Sequence, residues 1–289
     1  MLKIGIIGKV SSMQPYVQHL KKEPDFEIIG KSSIGLVDQP AGSLMSVPEY
    51  AKAALIDAAD AIIIERPDMV NFEMIKEAIK KSKHLFLSDL PEISSAQCLE
   101  LQKLAGEAGN VVQIRNPLLE EPSARWIAEN WQEPAYISIF KSAEIFRDKR
   151  NLLMGLLLYA HHLFAASPQK IRVSGVYNPG SGYSFMNIRL DYATYSAINI
   201  EMLDQPVAEL KIRAALPQKF LETAGNNQFF INHQKFHTDP SPKNCFSGFL
   251  DHLRAGYQKS GTSLSSLQQV MVTYEELLRK FSLYTSWYI

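Results

Sequence analysis

Residues 2–13 read Leu2-Lys3-Ile4-Gly5-Ile6-Ile7-Gly8-Lys9-Val10-Ser11-Ser12-Met13. The first seven make a short, mainly apolar run that carries three β-branched isoleucines and ends in glycine, the pattern of a buried strand that opens a βαβ unit. The turn after such a strand usually reads G-x-G-x-x-G. Here the first glycine is Gly8, and the second and third places hold Val10 and Met13. The second glycine normally lets backbone approach a pyrophosphate, and the third lets helix and strand pack closely. The strand therefore predicts the fold, and the turn predicts altered chemistry. A side chain at Val10 takes space that a pyrophosphate would use. The amides of Lys9, Val10, Ser11 and Ser12 at a helix N-terminus, and the Lys9 ammonium, remain as phosphate contacts. The other reading of the same turn is an empty nucleotide fold.

The rest of the first third alternates strand and helix. Strands are expected at Phe26–Ile29, Ala59–Glu65, His84–Leu87 and Val111–Ile114. Helices are expected at Pro15–Lys22, near Pro48–Ala58, at Met69–Lys81 and at Ser94–Ala108. Short strands alternating with longer helices predict a doubly wound parallel sheet. After Asn116 the pattern changes. Pro117–Trp131 reads as a helix, Ala135–Ser142 as a strand and Asn151–Ala166 as a buried helix. Period-two strands follow at Lys170–Tyr177, Tyr183–Tyr192, Tyr195–Met202 and Val207–Ala215, with a further pair around Asn232-His233. Short connections of this kind predict an open, mostly antiparallel sheet. Helices Asn244–Lys259 and Leu264–Ser282 close the chain, the latter capped by Ser263. The division is expected at residue 116, giving a Rossmann-type domain over 1–116 and a second α/β domain over 117–289.

The chain has 289 residues, 46% hydrophobic and 21% charged, with a formal net charge of +0. That balance points to neither a nucleic-acid nor a membrane partner. Its two cysteines, Cys98 and Cys245, make neither a metal motif nor a disulfide framework, as expected in a reducing cytoplasm. The apolar run at the N-terminus is too short for a signal peptide. Leu152–Ala166, the longest apolar stretch, falls short of the ~20 residues that span a bilayer.

This order of parts resembles the glucose–fructose oxidoreductase/inositol dehydrogenase/MocA-like (Gfo/Idh/MocA) family over nearly the whole chain. The resemblance is carried by LKIGIIG, by ADAIIIERPDMVNFEMIKEAIKKSKHLFLSDLPEISSAQCLELQKLAGEAG from Ala59, and by CFSGFLDHLRAGYQKSGTSLSSLQQVMVTYEELLRKF from Cys245, with its Phe249-Leu250-Asp251. It implies an N-terminal domain that binds NAD or NADP and a C-terminal domain whose open sheet packs against another subunit, in a homodimer or homotetramer. It further implies a sugar-like or polyol-like substrate and hydride transfer helped by a lysine and a histidine.

Residue by residue, the resemblance is incomplete. The family's Glu-Lys-Pro falls on Asp89-Leu90-Pro91, so the lysine that would position a reacting hydroxyl is a leucine. The plain reading of Ser88–Pro91 is a strand-to-helix turn with Ser94 as cap. His161 and His162 stand at the place of the family's histidine, as acid/base candidates. The flanking aspartates would be Leu157 and Phe164 in one register, or Leu158 and Ala165 in the other. Without a carboxylate to orient it, either ring reads equally as a core histidine bonded to a backbone carbonyl. Lys31 and Ser32, at the end of the second strand, suit a 2′-phosphate and hence NADP; a solvated lysine is the plain alternative. Arg66 lies on the cofactor side of the third strand. Lys149 and Arg150 are candidates for an anionic substrate or a solvated helix start. His233 and His237 are four apart but lie on strands around a turn, so zinc is not expected. Trp126, Trp131 and Trp287 read as packing residues. Two functions stay open: an NAD(P)-dependent oxidoreductase, or a non-catalytic ligand-binding, regulatory or assembly protein on the same fold.

Overall fold

The computed structural model describes residues 1–35, 44, 46–143, 145–178, 182–223, 228–237, 245–255 and 262–285. Side chains are described for all of these except 145–149, 177, 178, 182, 183, 228, 236, 237, 262, 284 and 285. Trp287 and the side chains of Lys149 and His237 thus lie outside the described residues. The chain forms two compact units, Met1–Arg115 with Cys245–Gln268, and Asn116–Asn244 with Gln269–Ile289.

In the first unit β1 (Leu2–Gly8), β2 (Phe26–Ser33), β3 (Ala61–Ile64), β4 (His84–Leu87) and β5 (Val112–Ile114) form a parallel sheet in the order β5-β4-β3-β1-β2. A two-residue strand, Thr262–Ser263, joins the outer edge antiparallel to β5. Four residues of β3 and the last five of β1 are buried, as strands covered on both faces must be. Helix α1 runs Val10–Leu20, five residues ahead of the expected start, with Pro15 inside it. The physical reason is its apolar stripe. Val10, Met13, Val17 and Leu20 recur at helical spacing and are all buried, and their burial outweighs the backbone hydrogen bond that proline removes. The two residues in place of glycines are thus the first two rungs of that stripe.

Helices α2 (Lys52–Ala58), α3 (Phe72–Lys80) and α4 (Ser95–Ala108) follow. Ser94 caps α4 in a reciprocal capping box with Gln97, and Gly109 ends it in the left-handed region at φ +67°. A core cluster on the sheet is completed by α7 (Cys245–Ala255). Phe246, Phe249 and Leu250 pack with residues such as Ile4, Met13 and Phe86. The rings of Phe246 and Phe249 lie 5.2 and 5.5 Å from that of Phe86.

The second unit holds β6 (Tyr136–Ala143), β7 (Lys170–Asn178), β8 (Gly182–Asp191), β9 (Ala197–Asp204), β10 (Glu209–Leu216), β11 (Lys219–Thr223), β12 (Gln228–Ile231) and β13 (Gln234–His237). They form one sheet in the order β13-β12-β11-β10-β6-β9-β8-β7. Every pair is antiparallel except β6 with β9. Strand β11 was not expected. It is entered by a tight turn at Pro217-Gln218 with φ +65° at Gln218, a conformation that usually announces itself through glycine or asparagine. The expected helix at Pro117–Trp131 is two pieces, a 3-10 turn at Pro117–Glu120 and α5 at Pro122–Glu129. Pro122 forces Glu121 into extended backbone, at φ −69° and ψ 127°. Helix α6 (Ile145–Phe164) packs on β9, and the Tyr159 hydroxyl donates to the Ala124 carbonyl at 2.9 Å. The closing helix α8 is Leu264–Thr285, with Ser263 Oγ accepting from the Ser266 amide at its start. None of the described helices is long and apolar enough to cross a membrane.

Candidate functional site

In an open parallel sheet the ligand edge is the one where strands end at their carboxyl termini. Strand order β4-β3-β1-β2 therefore brings together Ser88–Pro91, Glu65-Arg66, Gly8-Lys9 and the end of β2. Most of the expected cofactor residues fall on this edge. Their roles within it are uneven.

At the turn itself, Lys9 is the N-cap of α1 and has no side-chain cap. Its amide donates instead to Glu65 Oε2 at 2.9 Å. The Glu65 side chain lies flat against Gly8. A Cβ on Gly8 would stand 2.5 Å from Glu65 Cβ and 2.7 Å from Oε2, so only glycine fits there. Glu65 comes directly after β3, and its own amide donates to Ile7 O at 2.8 Å, which registers the carboxylate over the turn. Val10 is 5% exposed and belongs to the core cluster. It points into the sheet packing, and the side chain that occupies the turn is that of Glu65. Ser11 is exposed and Ser12 half-buried at the start of α1.

At the end of β2, Lys31 is 5% exposed and Ser32 is also buried. The Lys31 ammonium donates to the Val47 carbonyl and stands 3.5 Å from Glu49 Oε2. To meet a 2′-phosphate it would have to leave both. Glu49 in turn accepts from the Ser33 amide at 2.6 Å and from Ser33 Oγ at 2.9 Å. The group exposed at this strand end is therefore a carboxylate, supplied from outside the strand.

After β3, the Arg66 guanidinium makes a two-pronged bond to Asp68, 2.8 Å from Nε and 2.5 Å from Nη2. This bond holds Arg66 above its ordinary pKa, helped by the nearby charges of Glu65 and Asp89, and it holds Asp68 below the usual carboxylate range. After β4, Ser88 Oγ donates to the Glu65 carbonyl. Asp89 Oδ1 accepts from the Leu90 amide at 2.7 Å, and Pro91 is buried. Leu90 is 4% exposed. The position where a lysine was looked for is thus apolar and covered.

His161 and His162 lie in the second unit, on the last turn of α6. His161 is half-buried and His162 exposed. Desolvation lowers both imidazoles below the ordinary histidine range, with a hydrogen bond at the Ala166 backbone opposing it for His161. Leu157, Leu158 and Phe164 are buried, so no carboxylate orients either ring from those places. Trp126 and Trp131 pack against Phe229 and Phe164. His233 sits in the turn between β12 and β13, where Asn232 and His233 both have positive φ. Among the described residues no group of three or more His, Cys, Asp or Glu could hold a metal ion.

The residues at the edge do not fit the diphosphate of a nicotinamide dinucleotide. An anion at the turn would meet the Glu65 carboxylate, which already holds the Lys9 amide, and the neighbouring cation Arg66 is committed to Asp68. Glu65 and Glu49 were both missed in the sequence. Glu65 was legible only as the last residue of a strand, and Glu49 as part of the helix expected near Pro48–Ala58, which in the structure starts only at Lys52.

No protein-family profile and no curated protein sequence matches the chain. Solved structures do match it along its length. A UDP-N-acetylglucosamine 3-dehydrogenase from Acidithiobacillus ferrooxidans is 15% identical with a TM-score of 0.81, over 96% of this chain and 97% of that one. A Gfo/Idh/MocA family oxidoreductase from Vibrio cholerae is 13% identical with a TM-score of 0.76, over 98% and 100%. A biliverdin reductase from Synechocystis, solved with biliverdin and NADP+, is 12% identical with a TM-score of 0.73, over 96% and 98%. The chain has the two-part fold of the Gfo/Idh/MocA oxidoreductases.

Proposed function

We propose that this chain is an oxidoreductase by lineage that has left lysine-assisted hydride transfer and serves in the cytoplasm as a binding protein for a sugar-like or polyol-like small molecule. The observation that carries this reading is Leu90. A buried leucine stands where the family it resembles places its ammonium, and a hydrocarbon side chain neither donates nor accepts a proton. The sugar-like ligand follows from the dehydrogenase among the structural neighbours that is named for a nucleotide sugar. The test is calorimetric titration with NAD, NADH, NADP and NADPH, followed by a thermal-shift screen of sugars and polyols. The expected result is no micromolar binding of any dinucleotide and stabilisation by a polyhydroxylated ligand.

A second reading, an NAD(P)-dependent oxidoreductase acting on such a substrate with His161 or His162 as acid/base, is favoured by the intact β1–Gly8–α1 unit. Micromolar binding of one dinucleotide, with substrate-dependent change in its nicotinamide absorbance, establishes this second reading and removes the first.

The open sheet of the second unit supports a homodimer or homotetramer. Pairing places Val176, Phe185 and Leu203 in one row and Tyr136, Ala215 and Phe220 in another. Val176, Tyr136 and Phe220 are exposed, with Glu201, Lys211, Arg189 and Arg213 in the rows between them, a mixed apolar and charged face of the kind that pairs with a second copy. Light scattering on the eluting protein is expected to give the mass of two or four chains; a monodisperse monomer sinks this assembly.

A further inference from the structure

We infer that the Glu65 carboxylate is the built-in occupant of the phosphate turn and the residue that sets this edge against diphosphate ligands. Three observations converge on it. The carboxylate accepts the Lys9 amide at 2.9 Å, a donor that a bound phosphate would claim at a helix N-terminus. Its side chain packs against Gly8, the turn glycine, and so stands at the mouth of the turn beside the amide it holds. It is not bonded by the guanidinium next to it in sequence, whose two-pronged bond goes to Asp68. A carboxylate and a phosphate are both oxyanions that seek backbone donors. Glu65 therefore imitates the ligand it displaces, and repels it as well.

The inference goes beyond the proposed function, because it names the group that excludes the dinucleotide and is independent of Leu90. It also inverts the expected culprit. Val10 and Met13 are the visible departures from the glycine pattern, yet both are buried in the core. Restoring glycine at either place would remove core packing and leave the carboxylate where it is.

The experiment is calorimetry with NADH and with adenosine, on the wild-type chain, Glu65→Ala and Glu65→Gln, each checked for native circular dichroism. Glu65→Ala is expected to bind NADH at least about tenfold more tightly than wild type, a gain of about 1.4 kcal/mol. Adenosine, which carries no phosphate, should change by less than about twofold. Glu65→Gln removes the charge and keeps the shape, so its gain should be smaller. If Glu65→Ala does not fold, the near-isosteric Gln variant still reads the charge on its own. NADH affinity unchanged in the folded variants overturns the inference, as does an equal gain for adenosine. Failure of all three proteins to bind NADH leaves the non-catalytic reading standing and removes Glu65 as its cause. Equal micromolar binding by all three removes both.

Discussion

Phe86→Ala lowers stability by about 3–5 kcal/mol, the usual range for deleting a fully buried aromatic ring. Phe86 has no solvent exposure. It lies on the strand between β3 and β5, pairing with Ile63 and Gln113. Its ring meets Tyr16 of α1 at 6.1 Å, edge-on, and Phe246 and Phe249 of α7. Edge-to-face rings at these separations add to plain area burial. Collapse around the vacancy is resisted on two sides, since β4 is fixed by its ladder and α7 is tied to the sheet by the Gln113 side-chain amide, which donates to the Cys245 carbonyl at 2.6 Å. At about 2–4 °C per kcal/mol for a fold of this size, the melting temperature should fall by roughly 10 °C. Amide exchange in α7 should rise with it, because that helix loses a ring from its seat. A loss below about 1 kcal/mol would mean that α7 repacks onto the strand and that the core is more plastic than the ring geometry implies.

That core also marks where the sequence could and could not be read. Leu2–Gly8, His84–Leu87 and Ser94–Ala108 were legible because their signals are local: a β-branched run, a short apolar strand, and a capping serine with a glutamine three residues on. The start of α1 was not. A proline at position 15 predicts a helix start, whereas the apolar spacing from Val10 onward carries the helix through it. Pro122, by contrast, did interrupt the helix expected at Pro117–Trp131. The difference is that the residues ahead of Pro15 have a core to enter, while the 3-10 turn at Pro117–Glu120 buries none of its residues. The return of Cys245–Gln268 to the first unit has no local signature, since the helix pattern tells which face is apolar and not which sheet receives it. The turn site failed to show for the same reason. Glu65 and Lys9 are 56 residues apart, and they meet only because β3 lies beside β1 with Ile7 opposite Ile64.

Leu90→Lys, which rebuilds the family's acid-lysine-proline on Asp89 and Pro91, destabilises the protein and does not create a dehydrogenase. Leu90 is 4% exposed, and an ammonium brought there loses its water. The effective cost of burying an ion is several kcal/mol after relaxation, so we expect a loss of about 3 kcal/mol at pH 7. The sign of the pH dependence follows. Burial lowers the lysine's pKa in the folded state below the ~10.4 of the unfolded chain. Between the two values the unfolded chain binds more protons, so stability rises with pH. The deficit relative to wild type is therefore largest below the folded-state pKa and shrinks as the pH approaches 10. Melting both proteins at pH 7 and pH 9.5 reads this directly. A variant as stable as wild type at pH 7, with no narrowing of the gap at pH 9.5, would mean that the side chain at position 90 reaches solvent, and that this edge can accept the lysine after all. In that event hydride transfer between NADH and a panel of keto-sugars becomes the decisive assay, and should be run together with Glu65→Ala. An ammonium at position 90 can act only on a ligand whose cofactor the turn admits.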